Sequence, residues 1–188
     1  MKGTPGEQAF RLMHGTDYAG RNCAGWVAQR KWDGIFALWT GSALLSRNGH
    51  RMNAPEWFVA VLGCKPLACE LVGSQEGACF SSGLRSTKNA GAWRAATLRV
   101  FDAPGAAAGL AERASAAWDA ARGCLFARPV AVFTVSGRAD LRSLLKSALA
   151  AGWEGLMIQP PDHKYTPGRT ERPAKVKHGS LAILEGTK

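Results

Sequence analysis

The chain has 188 residues, of which 46% are hydrophobic, so it can bury one core, and a single domain is the default expectation. Its 24 Lys and Arg against 14 Asp and Glu give a net charge of +10, which favours a polyanionic partner over a merely soluble basic surface. The sequence argues against a membrane span or a signal peptide. Its five cysteines lack the C-x-x-C spacing of a zinc site, and they favour a reducing cytoplasm over a disulfide framework.

The first half of the chain predicts short strands separated by turns. A helix is expected over residues 7–14 and a loop over 17–22, followed by strands over 25–30, 35–39 and 43–46. Because Asp33-Gly34 and Gly41-Ser42 form tight turns, these three strands are expected to make an antiparallel meander. A helix is predicted to begin at Ala54-Pro55, and a strand follows over 67–72.

The second half alternates strands with longer helices. Strands are predicted over 97–101, 130–135, 156–159 and 174–177, and helices over 106–122 and 140–151. Because strands and helices alternate in mixed order, the pattern predicts an α+β domain.

Lys31 is the first candidate for chemistry. It lies near the end of the apolar segment 26–32 and is followed by Trp32-Asp33-Gly34, so a strand would present a single amine beside a turn. Such an amine becomes a nucleophile when burial or cationic neighbours favour its neutral form. The alternative is an ordinary strand end and turn.

Three further candidates follow at strand ends or within strands. Arg47, in Ser46-Arg47-Asn48-Gly49, either binds a phosphate through its guanidinium or is an exposed turn residue. Glu70 lies in an apolar strand, where an acid is either paired and functional or turned towards solvent. Phe101 either stacks on a nucleobase or packs in the core.

An acid and two lysines complete the set. Glu154 precedes Gly155 at the start of an apolar strand and is either a metal ligand or a surface acid. Lys175 and Lys177 lie two residues apart, so their side chains point to the same face of a strand. They either hold an anion between them or protect a solvated sheet edge.

Together these motifs resemble the covalent nucleotidyltransferases, and more closely the minimal ATP-dependent DNA ligases of bacteria and phages. The resemblance runs from about residue 20 to residue 178. It implies an α+β fold with antiparallel sheets packed with helices around a central nucleotide cleft, the ATP-grasp-like adenylation domain of these ligases. The segments that carry it are Lys31-Trp32-Asp33-Gly34, Ser46-Arg47-Asn48-Gly49, Ala54-Pro55-Glu56-Trp57-Phe58, Glu70-Leu71, Val100-Phe101-Asp102-Ala103-Pro104, Glu154-Gly155-Leu156-Met157, Tyr165-Thr166-Pro167-Gly168-Arg169 and Lys175-Val176-Lys177.

The resemblance also implies an activity that would serve DNA replication, repair and recombination. Lys31 would take AMP from ATP as a lysyl-adenylate and pass it to a 5′-phosphate at a DNA nick, where the 3′-hydroxyl would displace it. Lys175 and Lys177 would neutralise the α-phosphate. The remaining implied roles are adenine reading by the backbone of Gln29 and Arg30, ribose binding by Glu70, adenine stacking by Phe101, Mg²⁺ or Mn²⁺ binding by Glu154, and DNA phosphate binding by Arg47.

Three departures from the family's pattern keep other functions open. Phe36 stands where the family usually has an arginine, and Ala68-Cys69 stands where it usually has Asp-Gly. Residues 1–180 would be the adenylation domain and 181–188 a tail with at most one more strand, without the family's OB-fold domain. The alternatives are an RNA ligase or capping-type nucleotidyltransferase, and a non-catalytic nucleic-acid-binding relic of a ligase.

The resemblance sets the expected partners. A cytoplasmic monomer, in the host cytoplasm for a phage protein, would bind nicked double-stranded DNA and no membrane. Another protein would then supply the OB-fold function where sealing requires it.

Overall fold

The computed structural model describes residues 13–73, 84, 90–106 and 109–186. The described residues form two compact units, unit 1 within 33–107 and 112–130, and unit 2 within 13–32, 108–111 and 131–188. Within these ranges ten strands and five helices occur, in chain order β1 (Met13–Asp17), β2 (Trp26–Lys31), β3 (Ile35–Trp39), β4 (Leu44–Ser46), α1 (Glu56–Val59), β5 (Leu67–Val72), α2 (Ala90–Arg94), β6 (Thr97–Asp102), α3 (Leu110–Ala121), β7 (Ala127–Pro129), β8 (Val132–Val135), α4 (Arg138–Ala150), β9 (Gly155–Gln159), β10 (Gly168–Lys177) and α5 (Leu181–Glu185).

Unit 2 is built on a sheet with the strand order β1-β10-β9-β2-β8. Every neighbouring pair is antiparallel except β1 and β10, which are parallel. Because side chains alternate along a strand, one face of the sheet is apolar and forms a core with α4. Ala28, Ile158 and Val176 pack there with Leu141 and Leu145. The opposite face of β2, β9 and β10 carries most of the polar side chains of these strands, together with Val27 and Met157.

Unit 1 is built on a second sheet, with the order β4-β3-β5-β6-β7 and one parallel pair, β6 and β7. One face packs in a large core that includes Cys69 and Leu71 of β5 and the rings of Phe58 and Trp93. The other face carries a smaller apolar cluster that includes Phe36, Leu38 and Ala68, with Phe101 packed against it. Both faces of the central strands are therefore occupied, which agrees with the apolar runs in their sequences.

The structure confirms the α+β fold class, and it corrects one predicted connection. β3 and β4 pair as expected, but β2 and β3 lie in different sheets, so the predicted meander is wrong for its first strand. Alternating apolar residues identify a strand without identifying its neighbour. Asp33-Gly34 is therefore the point where the chain passes from one unit to the other and is not a hairpin turn.

Other predicted elements differ in extent or type. Of the helix predicted over 7–14, residues 7–12 lie outside the described residues, while Met13 and His14 belong to β1. The strand predicted over 130–135 begins two residues later, as β8, and it is preceded by a short strand of the other sheet, β7, which the sequence did not predict. The tail contains a helix, α5, whose Leu184 is buried in the core of unit 2. In the described part of the chain, no helix has the length and apolar character to span a bilayer.

Candidate active site

Lys31, Glu154 and Lys177 form an ion-paired cluster in unit 2. β9 lies between β2 and β10, and its first residue, Gly155, pairs with Lys31 on one side and with Lys177 on the other. This register places both lysines beside Glu154, which immediately precedes β9. Glu154 accepts a hydrogen bond from Lys31 Nζ on Oε2, and its Oε1 lies 2.9 Å from Lys177 Nζ.

The cluster is partly buried, and its charges stabilise one another. The side chains of Lys31 and Glu154 are 20% and 26% exposed, and that of Lys177 is 44% exposed. Desolvation by itself would raise the pKa of the Glu154 carboxyl, but the hydrogen bonds and positive charges of Lys31 and Lys177 outweigh it and hold that pKa below its ordinary value. Glu154 is therefore ionised at neutral pH.

Gly155 allows the strands of the cluster to approach each other. Its φ is +150°, a conformation that L side chains rarely adopt, and a Cβ there would lie 2.3 Å from the carbonyl oxygen of Val176 on β10. The same Cβ would lie 3.2 Å from the Cα of Lys177. A side chain at this position would push β10 away, so glycine is required for Lys177 to reach Glu154.

Lys175 and Gln29 share the face of the sheet that carries Lys31 and Lys177. Both are paired with Met157 of β9, two residues after Gly155, so their side chains lie on the same face as those of Lys31 and Lys177. Gln29 is only 4% exposed, and Lys175 is partly buried. Three lysines therefore line this face, a charge arrangement suited to a phosphate group.

The side chain of Arg30 lies on the opposite face of β2, because neighbouring residues alternate along a strand. Its guanidinium carbon is 3.6 Å from the ring centroid of Trp32 and 4.9 Å from that of Trp153. Arg30 thus offers only its backbone to the face that carries Lys31. The contact with Trp153, which is distant in the chain, leaves no local pattern in the sequence.

Glu70 and Phe101 lie on neighbouring strands of unit 1. Glu70 is paired with Phe36 of β3. The register between β5 and β6 shifts between Ala68 and Cys69, as in a β-bulge, and Phe101 of β6 therefore has no paired residue on β5. The rings of Phe101 and Phe36 are in contact, with centroids 6.2 Å apart and planes at 59°. Phe36, which replaces the family's arginine, therefore adjoins both residues predicted to bind the nucleoside.

Arg47 lines an open trough of about 760 Å³ in unit 1. Phe36 contributes to the lining, and Arg47, His50 and Arg51 supply groups that can be positively charged. Among the described residues that line the trough, none is acidic. An arrangement of this kind attracts a polyanion.

A buried ion pair follows Phe101. Arg113 of α3 donates from Nε to Asp102 Oδ1 at 2.7 Å and from Nη2 to Oδ2 at 3.3 Å, and the two side chains are 0% and 2% exposed. The sequence does not mark Arg113 as a buried residue, because an arginine on an alanine-rich helix has no local signal for burial. The pair joins the end of β6 to α3 and so fixes the backbone beside Phe101.

The structure thus brings together five of the predicted site residues in unit 2, namely Gln29, Lys31, Glu154, Lys175 and Lys177, and places Glu70, Phe101 and Arg47 in unit 1. Among the described residues, no group of three or more potential metal ligands occurs. A single carboxylate such as Glu154 suits Mg²⁺, which proteins often hold through one or two carboxylates while substrate phosphates and water complete the octahedron.

Comparison with known proteins identifies the fold. No protein-family model matches the chain. A Lig E DNA ligase structure matches with a TM-score of 0.79 and 27% identity over 90% of this chain and 69% of that one. Chlorella virus DNA ligase-adenylate matches with a TM-score of 0.75 and 16% identity, covering 89% and 69% of the two chains. The ATP-dependent DNA ligase of bacteriophage T7, in complex with ATP, matches with a TM-score of 0.67 and 17% identity, covering 88% and 68%.

A curated sequence gives the same result. A DNA ligase from Haemophilus influenzae is 25% identical over 172 residues, which cover 88% of this chain and 62% of that protein. The chain therefore has the fold of a DNA ligase adenylation domain. The resemblance to the minimal ATP-dependent DNA ligases is confirmed, with Lig E among the similar structures. The chain spans about three fifths of the length of the curated relative, as the 62% coverage shows.

Proposed function

We propose that this protein is an ATP-dependent DNA ligase in which Lys31 carries AMP covalently. The observation that supports the proposal best is the Lys31–Glu154–Lys177 cluster, which presents a partly buried amine on a face shared with Lys175. The ligase fold and the similarity to ligases provide independent support.

In the first step, Lys31 Nζ attacks the α-phosphorus of ATP. An N–P bond forms, the bond from the α-phosphorus to the bridging oxygen breaks, and pyrophosphate leaves with the electron pair. The Lys31 ammonium group must first lose its proton to solvent, because the Glu154 carboxylate, whose pKa is held below its ordinary value, is a weak base. Lys175 and Lys177 stabilise the negative charge that develops on the α-phosphate.

Glu70 and Phe101 are proposed to bind the nucleoside. Glu70 accepts hydrogen bonds from the ribose hydroxyls, Phe101 stacks on adenine, and the backbone at Gln29 and Arg30 reads the base edge. Mg²⁺, when bound with ATP, neutralises phosphate charge, and Glu154 is the residue that would hold it.

The later steps use DNA. A 5′-phosphate oxygen at the nick attacks the lysyl-adenylate and releases Lys31, and the 3′-hydroxyl then displaces AMP as the phosphodiester bond forms. The basic trough at Arg47 is proposed to hold DNA phosphates during these steps, because guanidinium binds two phosphate oxygens at once.

The proposal is tested by incubating protein stripped of bound AMP with Mg²⁺ and either α-labelled ATP or α-labelled GTP, followed by a denaturing gel. We expect label from ATP and not GTP, mapped to Lys31 and abolished in Lys31→Ala. Label from GTP would favour a capping-type enzyme, and sealing of RNA in preference to DNA would favour an RNA ligase. Absence of covalent label would favour a non-catalytic relic.

A further inference from the structure

The guanidinium group of Arg30 lies close to two tryptophan rings from separate parts of the chain. The guanidinium carbon lies 3.6 Å from the Trp32 ring centroid and 4.9 Å from the Trp153 centroid, both within the range of a cation–π interaction. We call these three side chains the Arg30 stack. All three residues belong to unit 2 and are partly buried.

The position of the stack in the chain connects it to the cluster. Arg30 and Trp32 directly precede and follow Lys31, and Trp153 directly precedes Glu154. The stack therefore links the strand that carries the nucleophile to the turn that carries its carboxylate partner. Its side chains lie away from the face that carries Lys31, because Arg30 alternates with Lys31 along β2.

The turn that leads into Glu154 is held to the end of α4 by backbone hydrogen bonds as far as Trp153, including Gly152 N to Leu149 O at 3.0 Å. Gly152 has a φ of +74°, and Trp153 N donates to Ala148 O at 2.9 Å at the end of α4. β9 pairs with its neighbours only from Gly155 onward. Glu154 therefore lies between Trp153, whose backbone is hydrogen-bonded to α4, and Gly155, the first paired residue of β9. These two neighbours limit the direction of its side chain.

We infer that the Arg30 stack positions Glu154 against Lys31, an inference that rests on the proposed function. Arg30, Trp32 and Trp153 are positioning residues, since they act on the reaction only through Lys31 and Glu154. A guanidinium is needed, because its broad, weakly hydrated cation can contact two indole rings at once, while an ammonium group is a compact, strongly hydrated point charge.

A zero-length cross-link measures this positioning without ATP or metal. Carbodiimide converts the Glu154 carboxylate into an O-acylisourea, and an adjacent lysine amine then forms an amide and releases the urea. Lys31 and Lys177 compete for the same activated carboxylate because both contact it. Peptide mapping by mass spectrometry gives the ratio of the Lys31–Glu154 product to the Lys177–Glu154 product.

The variants are chosen to separate stacking from charge and from general stability. Trp153→Leu removes one aromatic ring. Arg30→Lys keeps the positive charge but replaces the planar guanidinium with an ammonium group. Trp153→Phe retains an aromatic face. Trp118→Leu is the matched control, since Trp118 is 49% exposed on α3 of unit 1. Circular dichroism establishes that each variant is folded, and Arg30→Met replaces Trp153→Leu if the latter does not fold.

We expect the Lys31-to-Lys177 product ratio to fall at least threefold in Trp153→Leu and Arg30→Lys, and to stay at the wild-type value in Trp153→Phe and Trp118→Leu. The maximal rate of AMP labelling should fall by about tenfold or more in the first two variants, with unchanged half-saturating ATP, because small misplacements of a reacting group slow the chemical step.

A wild-type product ratio in both Trp153→Leu and Arg30→Lys would overturn the inference, as would an equal fall in Trp118→Leu. Failure of the wild-type protein to label with AMP would contradict the proposed function instead, and the product ratio would still decide whether the stack positions Glu154.

Discussion

Lys177 is the residue whose removal should separate chemistry from stability. Its Nζ lies 2.9 Å from Glu154, and its side chain is 44% exposed, so the pair contributes at most about 1 kcal/mol to stability. A preorganised charge at a developing phosphate charge is often worth ~3 kcal/mol of barrier. We therefore expect Lys177→Ala to slow single-turnover AMP labelling by about 100-fold, while the melting temperature changes by only a few degrees.

Lys146→Ala is the matched control for this prediction. Lys146 pairs with Glu185 at 2.8 Å in the same unit and is 56% exposed. The control should lose similar stability and retain labelling. A sharp fall in melting temperature with normal labelling in Lys177→Ala would show that Lys177 is structural.

Among the secondary-structure elements, β9 and β10 depend on Gly155. An alanine there would place a Cβ 2.3 Å from Val176 O in an unfavourable backbone conformation. We expect Gly155→Ala to reduce the free energy of unfolding by about 2 kcal/mol or more, and to slow AMP labelling because β10 carries both Lys175 and Lys177. Urea unfolding and labelling rates measure the two effects.

Gly152→Ala distinguishes this close approach from backbone strain alone. Gly152 has a φ of +74° in the preceding turn, but a Cβ there would have no neighbour within 4 Å. Its replacement should affect labelling less than Gly155→Ala does. Equal losses of activity would mean that the β9–β10 approach is not the cause.

The junction of β6 and α3 depends on the buried pair of Asp102 and Arg113. Arg113→Met would leave the Asp102 carboxylate buried without its partner, and we expect a loss of about 3–5 kcal/mol in the free energy of unfolding at neutral pH. The control is Arg122→Met, whose pair with Asp119 at 3.4 Å is largely exposed, so the loss should stay below about 1 kcal/mol.

The pH dependence gives this prediction a direction. Burial raises the pKa of the Asp102 carboxyl, while hydrogen bonds and charge from Arg113 oppose that rise. Without Arg113, the folded-state pKa should lie well above the unfolded value of about 3.9. A carboxyl whose pKa is higher in the folded state stabilises the fold at pH values below its pKa in the unfolded state. This stabilisation is lost as the pH rises through its pKa in the folded state. The deficit of Arg113→Met relative to wild type should thus be smaller at pH 4 than at pH 7, and an equal deficit at both values would contradict the assignment.

The positions of the strands were more predictable from the sequence than the pairing of the strands within the sheets. The apolar run over Leu67–Val72 placed that strand correctly, because a short run of apolar residues is a local property of the sequence. The contact between Lys31 and Glu154 joins residues 123 positions apart, and only the family resemblance connected them. Local patterns also gave no reason to expect a buried Arg113 or a guanidinium close to both Trp32 and Trp153, since each depends on packing between distant segments.

At the scale of the whole molecule, the lysines proposed to act on the α-phosphate and the arginine proposed to hold DNA lie in different units. The three lysines lie in unit 2, whereas Arg47 and its basic trough lie in unit 1. The net charge of +10 should make DNA binding strongly dependent on salt, because each neutralised phosphate releases counterions. A variant in the trough should therefore affect DNA steps without preventing AMP transfer to Lys31.

Arg47→Ala tests this division. We expect formation of the lysyl-adenylate to remain near the wild-type rate, while sealing of a nick by pre-adenylated enzyme falls by at least tenfold, because a guanidinium fork suits a terminal 5′-phosphate. The slope of log K against log salt for nicked DNA should decrease by about one, the loss of a single phosphate contact. Arg122→Ala, an exposed arginine on the segment after α3, should leave both sealing and lysyl-adenylate formation unchanged. Equal loss of both steps in Arg47→Ala would assign Arg47 to ATP binding, and undiminished sealing would remove it from the active site.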